Sequence, residues 1–536
     1  MESFILYPVL GLRTNFGNYS QGLLKPIENG FASYCVDGRN ISLDRVRMAT
    51  SKSQGRSEWS NSAVGTPSYC LGIFELYDGS NRVIWMVYDG DVYRYDGSRD
   101  PQEVADAGST AFASDQTDFY SLIRYGDYMV FSDYGEHTPY CSDHNDANLV
   151  KLVSADTEYK GKYLASFQRR IFLAHITSGI TTAPELSIVW TDANPVPGTS
   201  CTFGAGDPPT NHLYLPTDDE ITGIKRMGNN ACFVYSDSSI NRLDYYADYT
   251  NPFGMTTIHE NEGFVNHHGI VSARGMHFGF NKNYGFCAFD GSRNFPAGGN
   301  PVSQDIENWV RDIKSSSYPH IIGSHYPFRN KILWTVALEG SDTPNAILSY
   351  DYLENAWTRT DLVAHYISPI VVATDVTWTK LITELGYTDW TSTGTLRWSD
   401  FIDETPYFAM SATDGKLYYY GTEGDDGSAW DGYRVEPVLD FGSKNDKDLL
   451  LEIWFGLVET GDYSIYVHHR SGNTVGECTG NTWTVMDEVS CDDPANAVCR
   501  LSKLGRYHQI KWGTDAADEP FVTNQIEFKY VRQGRY

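Results

Sequence analysis

The sequence predicts an all-β fold built as a long run of antiparallel hairpins, and three observations predict it. An aromatic residue followed by Asp-Gly occurs five times, at Tyr77-Asp78-Gly79, Tyr88-Asp89-Gly90, Tyr95-Asp96-Gly97, Phe289-Asp290-Gly291 and Trp430-Asp431-Gly432. Asp-Gly supplies the positive backbone dihedrals of a two-residue turn, and the preceding aromatic suits a pleated, half-buried strand. Aromatics make up 14% of the 536 residues, with 37 Tyr and 13 Trp, beside 48 Gly. Long amphipathic helices are nearly absent.

Residues 1–60 read as an N-terminal arm or platform. Pro8-Val9-Leu10-Gly11-Leu12 precedes a polar stretch, and hairpin signals begin only around Tyr34 to Ile41, with Asp37-Gly38 as the turn. From Leu71 the pattern is steady. Val83 to Tyr88 is a continuous apolar run that reads as a buried strand, followed across one Asp-Gly turn by Val92 to Tyr95. Tyr128 to Phe131, Ile171 to His175, Leu186 to Trp190 and Cys232 to Tyr235 continue the series. Ile332 to Ala337 with Ala346 to Tyr350, closing on Asp351 and Trp357, resembles the inner hairpin of a propeller blade. Such a sheet cannot bury both faces alone, so neighbouring blades must stack around an axis. The expectation for 61–434 is therefore an irregular β-propeller with insertions, one of them at about 375–402. No strict period fixes the number of blades.

A short helix is expected over Ser303 to Ser315, capped by Ser303, with Ile306, Trp309, Val310 and Ile313 on one face. Its stripe reads as a face packed on the sheets rather than a ligand site. Glu423 to Asp431, acidic and Gly-rich, reads as a boundary loop of solvated turns, with Asp414-Gly415 and Asp426-Gly427 as further hairpin signals. Its Asp425 and Asp426 lack the spacing of a calcium loop. Residues 435–536 read as a β-sandwich-like module. Ile465 and Val467, Ile510 and Trp512, and Ile526, Phe528 and Tyr530 alternate with polar neighbours, giving one apolar and one wet face.

The formal net charge of -28 argues against an extended basic groove that grips phosphates, but not against a surface past which DNA slides. Phe4 to Leu12 is short, contains Pro8 and follows Glu2, so it is not expected to act as a signal peptide. No stretch approaches a membrane span. Nine Cys with no repeated spacing read as free thiols in a protein assembled in a reducing cytoplasm, and Cys478, Cys491 and Cys499 lack the tight pairs of a zinc site.

Catalytic signatures are missing. His259-Glu260-Asn261-Glu262-Gly263 starts like a zinc-protease helix, but Gly263 stands where the second His must fall, and His267 and His268 come too late. Gly204-Ala205-Gly206 runs into Pro208-Pro209 and is no dinucleotide loop. No nucleophile elbow or phosphate loop occurs. Carboxylate pairs abound among 69 acidic residues, and Ser471-Gly472-Asn473 with Trp483 only loosely matches the Asp-box turns of propeller glycosidases. The expectation is no enzyme, no catalytic residue, no metal and no cofactor.

Three stretches carry a family resemblance. They are Pro8-Val9-Leu10-Gly11-Leu12-Arg13-Thr14 leading to Asp37-Gly38, and Gly269-Ile270-Val271-Ser272 through Phe289-Asp290-Gly291 to Ser303-Gln304-Asp305-Ile306. The third is Thr377-Trp378-Thr379-Lys380-Leu381 with Trp390 and Trp398, followed by Arg506-Tyr507-His508-Gln509-Ile510-Lys511-Trp512. Together they resemble the tail nozzle or hub proteins of short-tailed bacteriophages, including the group that plugs packaged DNA. The resemblance implies a structural virion protein of the tail, assembled in the host cytoplasm as a homo-oligomer, a ring of six propeller subunits. Its implied partners are portal and adaptor proteins, a tail fibre or spike, and genomic double-stranded DNA passing through the lumen without sequence recognition. Trp378, Trp390 and Trp398 are the candidate docking residues of the insertion, or else its own small core. The alternative function is a secreted or tail-associated propeller that binds or cleaves bacterial surface glycans, the binder placing aromatics on an exposed sheet face.

Overall fold

Each run of β-branched and aromatic residues pairs with the run that follows it, so the chain folds into successive antiparallel sheets. The computed structural model describes all residues except 16–22, 45–48, 54, 66, 79–80, 96–98, 107–111, 144–147, 154–158, 205, 247, 249–251, 293–299, 374–403, 423–424, 427, 442–445, 460, 517–518, 520 and 535–536. Among the described residues, seven sheets form the blades of a β-propeller. Their first strands are Cys70–Asp78, Ser121–Tyr125, Lys160–Phe167, Ile221–Met227, Val271–Ala273, Gly323–Tyr326 and Tyr366–Ala373. Each of these strands lies beside its counterpart in the next blade, and the seventh lies beside the first, which makes them the inner wall of a closed ring. A separate apolar cluster fills each gap between blades, such as Trp85, Phe131 and Tyr140 between the first and second.

The ring is closed by strand exchange. The seventh blade takes its outermost strand, Gly55–Glu58, from far upstream in the chain, paired with Leu417–Thr422. Arg56 Nε reaches Asp425 Oδ1 at 2.7 Å, the Glu58 amide donates to Asp426 Oδ1 at 3.1 Å, and Lys416 Nζ meets Glu58 Oε2 at 2.6 Å. The carboxylates of the expected solvated loop thus hold the closing strand, because a lone edge strand needs side-chain partners to stay in register.

The remaining strands form a two-sheet sandwich on the flank of the propeller. One sheet joins Glu2–Tyr7, Leu24–Ile27, Gly30–Ser33, Ile41–Asp44 and Ala49–Lys52 with Lys447–Leu457, Val498–Gly505 and Val522–Gly534. The other contains Asp37–Arg39, Gly432–Val435, Ser464–Gly472 and Tyr507–Thr514. Ile465, Val467, Ile510, Trp512, Ile526, Phe528 and Tyr530 are buried between them, following the alternation in the sequence. At its centre Arg434 Nε donates to Glu436 Oε1 at 2.7 Å, with both side chains 0% exposed. The same guanidinium donates to the carbonyls of Leu10 and Ser33 at 3.0 and 2.8 Å, while Ser33 Oγ and Trp512 Nε1 donate to the Glu436 carboxylate.

Several expectations change. The segment 1–60 is not a separate arm: it supplies strands to both sandwich sheets and to the seventh blade, since Val522–Gly534 and Gly432–Val435 leave edges that it pairs. The sandwich accordingly begins before 435, at Gly432. Asp89 and Gly90, at φ 55° and 85°, make the expected two-residue turn. Asp290-Gly291 has only Gly291 at positive φ. Gly432 opens a strand, so Asp431-Gly432 is no turn, and a Cβ there would lie 2.8 Å from Lys52 Cγ. Asp37-Gly38 likewise lies within a strand. Asp78 ends a strand, while Gly79, Asp96 and Gly97 lie outside the described residues. Lys331–Val336 and Ala346–Asp351 pair as expected, but as the middle strands of the sixth blade, behind Gly323–Tyr326. The helix spans only Glu307–Asp312, between 3-10 turns, and the Ser303 hydroxyl accepts from the Phe286 amide at 3.0 Å instead of capping.

Replacing one partner of a buried ion pair strands the other charge. Arg434→Leu is expected to destabilise by about 3–5 kcal/mol, and Arg434→Met with Glu436→Leu by clearly less. Denaturant unfolding of both variants checks this, and equal losses would overturn it.

Candidate functional site

The innermost strands bring side chains from distant parts of the chain to the propeller axis. Phe119, just ahead of the second blade's inner strand, has its ring centroid 5.8 Å from those of His268 and His320 and 6.1 Å from that of Tyr366. His268 lies 6.2 Å from Tyr366, and the adjacent His267 stacks on Tyr163 at 4.9 Å. The second and fifth blades sit on opposite sides of the ring, so contact between Phe119 and His268 crosses the axis. His268 Nε2 fixes it by bonding to the Phe119 carbonyl at 3.2 Å. The axis is therefore filled by rings from five blades.

Beside Tyr366 lies a cavity of about 450 Å³, walled by Ile73, Phe74, Leu122, Ser324, Ser368 and Ile370 from the first, second, sixth and seventh blades. The seventh blade's inner strand, which forms part of this wall, runs to Ala373, and its partner resumes at Glu404. The corresponding connections in the second, third and fifth blades are tight, from Tyr125 to Tyr128, Phe167 to Arg170 and Ala273 to Met276. The insertion is thus rooted in a strand of the axial cavity wall, while Trp378, Trp390 and Trp398 themselves lie outside the described residues.

Ser121 Oγ and His267 Nε2 stand 3.2 Å apart, a distance that invites comparison with a nucleophile and its base. The surrounding bonds assign the opposite polarity. His267 Nδ1 accepts the Ile224 amide at 3.3 Å, which leaves the ring proton on Nε2, pointing at a hydroxyl that also accepts the Leu164 amide at 2.9 Å. In this arrangement the imidazole cannot take the Ser121 proton. Burial, with Lys225 nearby, holds His267 well below the ordinary histidine range and His268 down at about 3. Burial also pushes the Lys225 ammonium down to about 8 and the Asp118 carboxyl up to about 6, the latter helped by Asp115 and Glu136. A neutral imidazole plug packs rings and bonds backbone without carrying charge into the axis.

His259 and Glu260 lie on the strand Phe253–Glu260, so the helix a zinc protease needs is not formed there. All nine cysteines are buried free thiols, Cys478, Cys491 and Cys499 among them. Among the described residues no group of three His, Cys, Asp or Glu side chains is placed to hold a metal ion. Among the described residues no helix is long and apolar enough to cross a membrane. The plug was not legible in the sequence because its members come from five blades, and Phe119, His267, His268 and His320 stand outside the strands. The one signal was the doublet His267-His268 just before the apolar run Ile270-Val271.

No family model matches the chain, and no curated protein does. Solved structures do. One is the extracellular domain assigned to a hybrid two-component system of B. thetaiotaomicron, at 11% identity and TM-score 0.36, covering 68% of this chain and 39% of that one. Another is YCF48 bound to D1 peptide, at 11% identity and TM-score 0.37, covering 68% of this chain and 96% of that one. At these values the likeness says nothing of activity, and the strand pairings themselves make the β-propeller.

Buried neutral histidines make acid destabilising. Native pKa values of about 3 to 4 for His268, His277, His365, His469 and His508 lie below the unfolded value, so the unfolded chain binds more protons. Their contribution is complete above about pH 6.5 and is lost as pH falls through 6 towards 4. Asp118 and Asp448, both raised to about 6, oppose this below pH 6 but are outnumbered. The melting temperature should fall steadily from pH 7 to 4.5, and less steeply in His268→Gln, whose amide can still donate to Phe119. A flat profile for the parent protein would refute the assignment.

Proposed function

We propose that this protein is a structural subunit of a short-tailed phage tail, one member of a nozzle or hub ring through which the genome leaves. The observation that carries the proposal is where the resembling stretches meet. Arg13 Nε pairs with Asp305 Oδ1 at 2.7 Å, and the Thr14 amide donates to the Asp305 carbonyl at 2.7 Å. The Leu12 amide donates to the Trp357 carbonyl at 2.9 Å, and a Cβ on Gly11 would lie 2.8 Å from that of Ala356. Trp512, from the terminal stretch, packs in the same continuous apolar cluster as Leu12, Ile306 and Trp357. Segments separated by hundreds of residues thus build one joint between propeller and sandwich. A shared joint is the kind of feature that a resemblance spread thinly along a chain reflects.

The filled axis is compatible with this role only if the DNA lumen lies between subunits, because Phe119, His268 and Tyr366 leave no bore within one. An acidic wall suits such a lumen: the net charge of -28 repels phosphates and keeps the strand from sticking. The Trp-bearing insertion would then present docking residues for a fibre, spike or adaptor.

Electron microscopy with native mass measurement, on the protein alone and with its neighbouring tail proteins, tests the proposal. A closed ring of about six copies around an open lumen is expected, in line with the rotational symmetry of closed assemblies. A monomer that stays a monomer beside those proteins would rule it out.

A further inference from the structure

The axial cavity begins where the plug of rings ends. Phe119, His267, His268 and His320 precede the inner strands of the second, fifth and sixth blades, and Tyr366 opens that of the seventh. Residues of the cavity wall follow further along the inner strands: 73–75 of the first blade, Leu122 of the second, 323–326 of the sixth and 366–370 of the seventh. Tyr366 belongs to both plug and wall, so the plug forms the floor of the cavity. Pro327 and Pro369, both exposed, line it as well, which opens it to solvent.

At about 450 Å³ the cavity falls within the range of about 300–1,000 Å³ usual for small-molecule sites. Its wall is mainly apolar, from Ile73, Leu122, Ile367 and Ile370 to Phe74 and Phe408, and a few hydroxyls interrupt it. Among the described residues, those of Ser324, Tyr366 and Ser368 have no hydrogen-bond partner. None of the three is a sealed polar group, so each reaches open space, and the cavity is the space they share. Burial raises the Tyr366 pKa and keeps the phenol protonated, so it has a proton to donate there.

The charges around the cavity narrow the occupant further. Among the described residues no ammonium or guanidinium lines it, so an anion would leave water without a counter-charge. Glu75 is the one carboxylate in the wall, and it is already paired with Arg82 Nη1 at 3.0 Å, so a cation gains little. His325 is engaged as well, its Nε2 lying 3.2 Å from the Tyr352 hydroxyl, and burial lowers its pKa, which keeps the ring neutral. An apolar wall with free hydroxyls and no free charge suits an uncharged molecule that carries an acceptor for Tyr366.

We propose that the axial cavity is a binding site for an uncharged, mainly apolar small molecule bearing a carbonyl, whose oxygen accepts from the Tyr366 hydroxyl while its apolar body lies against Ile73, Leu122 and Ile370. Ser324 and Ser368 offer further hydroxyls to any second polar group on the same molecule. The site lies within one subunit, so it does not depend on the ring assembly, and a protein that stays monomeric would bind equally well.

Titration of the full-length protein with 6-propionyl-2-(dimethylamino)naphthalene tests the proposal. This fluorophore is uncharged and carries one carbonyl; its emission moves to shorter wavelength in an apolar site and back towards longer wavelength when the carbonyl accepts a hydrogen bond. Saturable binding of one molecule per chain is expected. Tyr366→Phe keeps the ring in the plug and removes the hydroxyl, so it should weaken binding by about 3–10-fold and move the bound emission further to shorter wavelength. Ser368→Phe, which places a ring in the cavity, should abolish binding; if that variant does not fold, the Tyr366→Phe spectrum decides alone. No saturable binding by the parent protein, or binding with unchanged affinity and emission in Tyr366→Phe, would overturn the proposal. So would anionic 1-anilinonaphthalene-8-sulfonate binding as tightly as the uncharged fluorophore with the same dependence on Tyr366.

Discussion

The Arg434–Glu436 pair is the interaction on which the rest of the structure depends. Taking two charges out of water costs several kcal/mol each, and the cost is offset only when every donor and acceptor is used. Here the remaining partners come from elsewhere in the chain, the Leu10 and Ser33 carbonyls on one side and the Trp512 indole on the other. The pair therefore demands that the N-terminal strands be in place. Once they are, the chain runs on through Asp37–Arg39 and Ala49–Lys52 to Gly55–Glu58, the strand that completes the seventh blade. Closure of the ring and assembly of the sandwich are thus linked through one buried guanidinium.

The joint between the two bodies is polar at its rim and apolar within. Arg39 bridges Glu339 at 2.7 Å and Asp361 at 3.3 Å, and Arg359 contacts the same two carboxylates. Such a network restrains sliding, whereas the cluster from Leu12 through Trp334 and Trp357 to Phe455 and Trp512 restrains separation. With both present, sliding and separation of the sandwich are both opposed at this joint.

Much of the fold was legible in the sequence because strand alternation and turn chemistry are local. Ile526, Phe528 and Tyr530 announced their buried face by period, and Asp89-Gly90 announced its turn by residue type. What was not legible is non-local. Nothing near Gly55–Glu58 says that it pairs with Leu417–Thr422, and Asp37-Gly38 and Asp431-Gly432 look like turns although they pair with each other's strands. Gly38 and Gly432 are glycines for close packing rather than for positive φ: a Cβ would meet Cys35 Sγ at 2.7 Å in one case and Lys52 Cγ at 2.8 Å in the other. The axial plug was hidden for the same reason, since Phe119, His268 and Tyr366 meet only once the ring is closed.

A propeller whose axis is crossed by packed rings moves any passage of DNA to its outside. In many propellers the axial mouth is the natural place for a ligand, and a cavity does remain here, although several of the groups beside it are held by partners within the fold. His268 is bound to Phe119, His267 to Ser121, and Asn266 to the carbonyls of Tyr318, Pro319 and Ile321. Among the described residues, polar groups without a hydrogen-bond partner lie on both bodies, such as the Tyr366 hydroxyl beside the axial cavity and the Lys511 ammonium on the sandwich. Their settings follow from how each body is built. A propeller must satisfy its inner strands to hold the ring together, while a sandwich buries only one face of each sheet and leaves the other open to solvent.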